Sequence, residues 1–257
     1  MMNMKKYLMI AAYCGLALAS GLAAKAAGTP DALTRLSQAA KALAELPNYS
    51  WSLNIIIEGM PFSPGIIHGK TQKGGYAHLK TEVNGQILET AIKDYRKAIT
   101  TPSGWVAARE FKTPMPKDNS KSDPAAMVAQ LLLDLQTPDL ETEKILGKIK
   151  TVKPGKDGCL VAEVAEDVAR EVMAPNRQMP GISTKPPPPK SAKSVIRFWI
   201  KDGLLVKSEI EVQLIVIGLP GKKDRIERKI TKHITTELKD IGKTIVLVPE
   251  DAKRLLK

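Results

Sequence analysis

From Ser194 to Gly218 the chain reads SVIRFWIKDGLLVKSEIEVQLIVIG, and this stretch restricts the fold more than any other. Ile196, Phe198 and Ile200 alternate with Arg197, Trp199 and Lys201, the period-2 pattern of a strand with one buried face. Asp202-Gly203 supplies the turn, because glycine tolerates the positive φ that a tight hairpin demands. The returning strand is expected to place Leu204, Val206, Ile210, Val212, Leu214 and Val216 on one face. Lys207, Glu209, Glu211 and Gln213 then occupy the other. A hairpin so apolar on one side is not stable alone in water, so it predicts a larger antiparallel sheet.

The rest of the chain supplies strands for that sheet. Trp51, Leu53, Ile55 and Ile57 alternate with Ser52, Asn54 and Ile56. Strands are expected over 65–72, 76–83, 86–92, 96–101 and 105–111, with Asn84-Gly85 and Pro102-Ser103-Gly104 as turns. Short strands at this spacing specify an antiparallel meander. Further strands are predicted over 149–152, 158–164, 225–240 and 244–248. A helix is predicted over 30–46, with a stripe of Leu33, Leu36, Ala40, Leu43 and Leu46, Thr29 as its N-cap and Pro47 beyond its end. Helices are also expected over 124–135, with Met127, Leu131 and Leu135 on the apolar side and Leu132 and Leu133 widening the stripe, and over 139–147 and 165–173, with a last turn at 249–256. The segment 174–190, with Pro186 to Pro189, reads as an extended connection into the hairpin. There is no internal repeat, and one domain is expected over 27–257.

The first 26 residues read as a signal peptide. Lys5-Lys6 precede the apolar run Tyr7–Ala19, and Ala24-Lys25-Ala26 or Ala17-Leu18-Ala19 fits a cleavage site. An uncleaved anchor over Tyr7–Ala24 is the competing reading. Gly15, Ser20 and Gly21 interrupt it, and it is short of the roughly 20 apolar residues a bilayer requires. Cys14 follows Tyr13, where a lipidation signal wants a small residue. An exported protein of the periplasm or medium is expected, peripheral to a membrane at most. Loss of Cys14 with the leader would leave Cys159 without an intramolecular partner, and its setting is that of a buried strand.

The net charge is +12, and losing Lys5, Lys6 and Lys25 with the leader leaves +9. Such a balance suits an anionic envelope component and also simple solubility. Nucleic acid is not expected as a partner. Aromatic residues are only 4% of the chain, and the basic residues between Lys222 and Lys232 do not share one strand face. His68, His78 and His233 lack metal-ligand spacing, so no metal or cofactor is expected. The chain has no Gly-x-Ser-x-Gly elbow, phosphate loop or dinucleotide fingerprint, and no catalytic residue is assigned.

The order of these parts carries a resemblance. A leader and an amphipathic helix precede meandering strands and a helical insertion. The hairpin Phe198-Trp199-Ile200-Lys201-Asp202-Gly203-Leu204-Leu205-Val206-Lys207 follows, and the chain closes through Gly242-Lys243-Thr244-Ile245-Val246-Leu247-Val248-Pro249. This resembles the periplasmic lipoprotein carriers and the mycobacterial lipid-binding lipoproteins. The resemblance implies an α+β fold: a strongly curved antiparallel sheet, an incomplete β-barrel, with helices covering the concave face. It also implies that the concave face holds a lipid or lipoprotein acyl chain. Leu53, Ile55, Ile57, Ile196, Phe198 and Ile200 are the expected apolar residues of that face. Arg228 and Lys232 share the apolar face of their own strand and are the expected contacts of an acidic head group. A monomer is expected. The alternative is an envelope interaction module whose own helices fill the groove, with no ligand.

Overall fold

Eleven strands form one antiparallel sheet in the order β6-β5-β4-β3-β2-β1-β11-β10-β9-β8-β7. This is seen in a computed structural model that describes residues 31–58, 64–111, 123–149, 151–173, 189–217 and 227–257. The strands are β1 (Asn48–Ile57), β2 (Ile66–Gln72), β3 (Ala77–Val83), β4 (Gln86–Lys93), β5 (Arg96–Thr101) and β6 (Gly104–Ala107). They continue as β7 (Val152–Pro154), β8 (Leu160–Val164), β9 (Ser191–Lys201), β10 (Leu204–Ile217) and β11 (Glu227–Lys239). Helices α1 (Ala32–Glu45), α2 (Pro124–Asp134), α3 (Pro138–Leu146), α4 (Glu166–Met173) and α5 (Glu250–Leu255), with a 3₁₀ turn at Lys156–Gly158, complete the described elements. The expected signal peptide falls in the first 30 residues, outside the described part, as do 174–188 of the proline-rich connection.

The sheet is open, because β6 and β7 are its edges and do not pair. Laid flat, eleven strands would span ~48 Å at the usual inter-strand spacing. Yet Ile99 on β5 and Leu160 on β8 belong to the same buried cluster, together with Leu36, Leu43, Val128, Leu132 and Ile145 of α1, α2 and α3. Both wings therefore wrap around the same helices, as sheets of this width do when they twist and curl. The result is an incomplete barrel with α1–α4 on its concave side.

Register fixes which side chains face inward. Trp51, Leu53, Ile55 and Ile57 on β1 lie opposite Leu238, Thr236, Ile234 and Lys232 on β11. Ile234 in turn lies opposite Ile210, and Ile210 opposite Ile196. Asp202 and Gly203 both have positive φ, at 51° and 77°, so the hairpin closes through the type I′ turn that matches strand twist.

The structure corrects the expected face of β10. Leu205 lies opposite Ile200 and Lys207 opposite Trp199, so Val206 is an extra residue in a β-bulge. The bulge reverses the alternation. Leu205 is buried, Leu204 lies opposite the outward Lys201, and the simple period of two holds only beyond Lys207.

Other boundaries shift for local reasons. Asp31, not Thr29, caps α1 by accepting from Thr34 N at 2.8 Å. On α2 the buried residues are Ala126, Val128, Ala129, Leu132 and Leu133, whereas Met127, Leu131 and Leu135 are half-buried. That helix is apolar nearly all round, so its sequence does not single out one stripe. The predicted strand over 149–152 forms instead at Val152–Pro154. The segment 244–248 is no strand. It crosses the outer side of the sheet, where Val248 packs with Ala252 and Leu256 of the C-terminal turn against Ala91 and Ala98. Those two alanines lie directly opposite each other on β4 and β5, leaving a shallow seat for α5 on the convex face.

Candidate functional site

The concave face is covered unevenly. On the β2–β5 wing, Ile67, Leu79, Leu88 and Ile99 are buried beneath α2 and its neighbours. On the β8–β10 wing, α1 and α4 cover Leu160, Ala192, Ile196, Phe198 and Val212. Between the wings a seam stays half-open: Ile57 on β1, Ile230 and Ile234 on β11, Ile210 and Leu214 on β10. Register makes these residues contiguous, with Ile234 opposite Ile210 and Ile230 opposite Leu214. The seam is an apolar strip in the middle of the sheet.

The expected site residues divide across this geometry. Leu53, Ile55, Ile196 and Phe198 are buried at 5%, 3%, 0% and 1% exposure, so they floor the core rather than an accessible groove. Ile57 and Ile200 are half-buried and border the same core. Arg228 sits on the inward face by register, opposite Val216, but near the end of β11 where it is exposed. Lys232 lies inside the seam, flanked along β11 by Ile230 and Ile234 and across it by Ile57 and Val212. The structure thus brings Ile57 and Lys232 side by side and leaves Arg228 apart.

The seam's charge is costly. Lys232 Nζ donates to the carbonyl of Val172, near the C-terminal end of α4, at 3.3 Å. Burial lowers its pKa, opposed by the attraction of Glu141 on α3. Burial raises the pKa of Glu141 in turn, with Lys144 and Lys97 pulling the other way. Glu141 acts on Lys232 only through space, so each charge is only partly compensated.

Polar pins hold the helices over this face. Lys97, inward on β5, donates to the carbonyls of Leu133 and Leu135 at the C-terminal end of α2. The buried Tyr49 donates to Asp139 at the start of α3, at 2.6 Å, and burial together with that carboxylate raises its pKa. On α4, Glu171 meets Lys144 and Lys148, and Arg170 donates to the Pro189 carbonyl at 2.6 Å. Cations near helix C-termini complement the negative end of the macrodipole.

Ser194, Thr90 and Glu141 were not singled out in the sequence, because a serine in a strand carries no sign of which groups will face it. Ser194 and Thr90 have buried hydroxyls without a hydrogen-bond partner. His68 and His78 lie on adjacent strands facing outward, and His78 approaches Glu89 at 3.2 Å. Among the described residues no cluster of His, Cys, Asp and Glu could hold a metal ion. Cys159 is buried beside Gly155, where an added Cβ would lie 2.7 Å from its sulfur. No described helix is long and apolar enough to cross a membrane.

No protein-family model matches the chain, and no curated protein matches it. Among solved structures, its fold is similar to that of a LolA superfamily protein from Nitrosomonas europaea, at a TM-score of 0.32 and 8% sequence identity. That match covers 87% of this chain and 97% of the other. The likeness is one of fold and is distant.

Proposed function

We propose that this is an exported envelope protein that holds a lipid or lipoprotein acyl chain along the concave seam of its half-barrel. The observation that carries the reading is the half-open strip of Ile57, Ile210, Leu214, Ile230 and Ile234. A contiguous apolar surface left partly in water inside a curved sheet favours an apolar occupant, and each buried CH₂ of a chain contributes ~0.8 kcal/mol. Helices α1 and α4 on one side and α2 on the other provide walls, so a chain would lie between layers rather than on an open face. The leader-like N-terminus supports export.

The test is native mass spectrometry of protein isolated from the envelope fraction of its own host. Co-purifying species with lipid masses, released by collisional activation, are the expected result. Protein that arrives without adducts, and takes up no lipid from mixed vesicles, would leave a structural or interaction module whose own helices serve the concave face.

A further inference from the structure

We propose that the row Ser194–Val212–Lys232 on the concave face seats an acidic head group, a carboxylate or a phosphate, of the bound lipid. The inference rests on the acyl-chain reading above and specifies the ligand's polar end. Ser194 lies opposite Val212 on β10, and Val212 lies opposite Lys232 on β11. The three side chains therefore share one level of the sheet and one face, with Ser194 and Lys232 ~10 Å apart across two strand spacings. Both ends of the row are hydrogen-bond donors short of acceptors. The Ser194 hydroxyl is buried with no partner. The Lys232 ammonium has three protons to give, and its hydrogen bond to the Val172 carbonyl is long, at 3.3 Å.

The missing component is an acceptor, and its charge follows from the surroundings. Lys232 is set among Ile57, Val212, Ile230 and Ile234, where an uncompensated ammonium is expensive. Glu141 acts on it through space without pairing. An anion entering beside Lys232 would complete its coordination and leave the apolar seam for the chain, and it reaches the Ser194 hydroxyl only where Ala169 of α4, packed on the buried Val212 between them, gives way. A neutral ester would satisfy the hydroxyl but not the charge.

The experiment measures binding of three ligands to the full mature chain and to Lys232→Met: myristate, dimyristoyl phosphatidate and neutral methyl myristate. Methionine keeps the length and the apolar packing while removing the charge. The expected result is that Lys232→Met loses at least about tenfold in affinity for myristate, for phosphatidate or for both, and stays within about twofold for methyl myristate. The acid that suffers the greater loss identifies the head group. Ser194→Ala should weaken the same acid by a smaller factor. Losses equal for the neutral and acidic ligands, or no loss for either acid, would overturn the head-group assignment while leaving the acyl reading intact. Failure of all three ligands to bind the wild-type chain would overturn both.

Discussion

Lys232 is the residue at which stability and the proposed function pull apart. Its pKa is lowered by burial, so the folded protein holds that proton less tightly than the unfolded chain does. Below the folded pKa the residue imposes a constant cost on folding, and the cost shrinks as pH climbs from there toward the lysine value of about 10.4. Lys232→Met should therefore raise the stability of ligand-free protein by ~1 kcal/mol at neutral pH, with the gain fading in alkaline buffer. Denaturant melts at pH 7 and pH 10 check this, and a clear destabilisation at pH 7 would show the ammonium to be structurally required. Glu141 has the opposite sign. Its raised pKa makes its contribution most favourable in acid and lost as pH rises through its folded value.

The paired residues Phe198 and Trp199 test the strand faces directly. Phe198 is 1% exposed in the core, whereas Trp199 lies on the outer face with the Lys207 ammonium 4.9 Å from its ring centre. Phe198→Ala should cost ~3–5 kcal/mol. Trp199→Ala loses a cation–π contact of ~0.5–1 kcal/mol and some strand packing. Urea unfolding of the two variants should separate by at least ~2 kcal/mol, and equal losses would contradict the register. Gly69 is a third check on packing, since a Cβ there would lie 2.0 Å from the Trp51 ring. Gly69→Ala should shift the ring or the strand and lower the melting temperature, by an overpacking cost of ~1–3 kcal/mol.

At the scale of elements, the bulge at Val206 gives the sharpest expectation. Removing Val206 leaves Leu205 opposite Ile200 and Lys207 opposite Trp199, with regular pairing through the turn. Removing Ser208 instead can be absorbed at the bulge only by pairing Val206 with Trp199 and turning Lys207 inward opposite the buried Phe198. The first deletion should still give a folded protein with native-like circular dichroism, and the second should not. A Ser208 deletion as stable as the Val206 deletion would contradict the assignment of Val206 as the extra residue and of Ser208 to the inner face.

The hairpin, β1, the Asn84-Gly85 turn and the existence of each helix were legible because period and turn chemistry are local. The bulge was not, since Leu204, Leu205 and Val206 are all apolar and nothing local says which one is extra. Nor was the buried side of α2, where small and large apolar residues alternate without a polar face. The segment 244–248 has a strand's composition, yet Asn48 holds its start, with Asn48 Oδ1 accepting from Thr244 N at 2.7 Å, and the chain then crosses the outer face to α5. Sequence pattern gives strand propensity but not whether a partner edge is free. Lys232 was legible as a cation within an apolar period. Ser194 and Glu141 matter only through contacts far apart in sequence.

In the whole molecule, an open eleven-stranded sheet curls around helices α1–α4 and leaves a half-open apolar strip along its inner middle. Under the proposed function, stability and binding are divided in space. The wings carry the buried core, and the seam carries half-open isoleucines and one expensive ammonium. The most direct measurement is photo-crosslinking with a fatty acid bearing a diazirine along its chain, followed by peptide mapping of the labelled sites. Labels should concentrate on Ile57, Ile210, Leu214, Ile230 and Ile234, and be displaced by excess unlabelled acid. Labels scattered over the outer face, at Ile66, Ile87 or Trp199, or no displaceable label at all, would contradict the proposed seam.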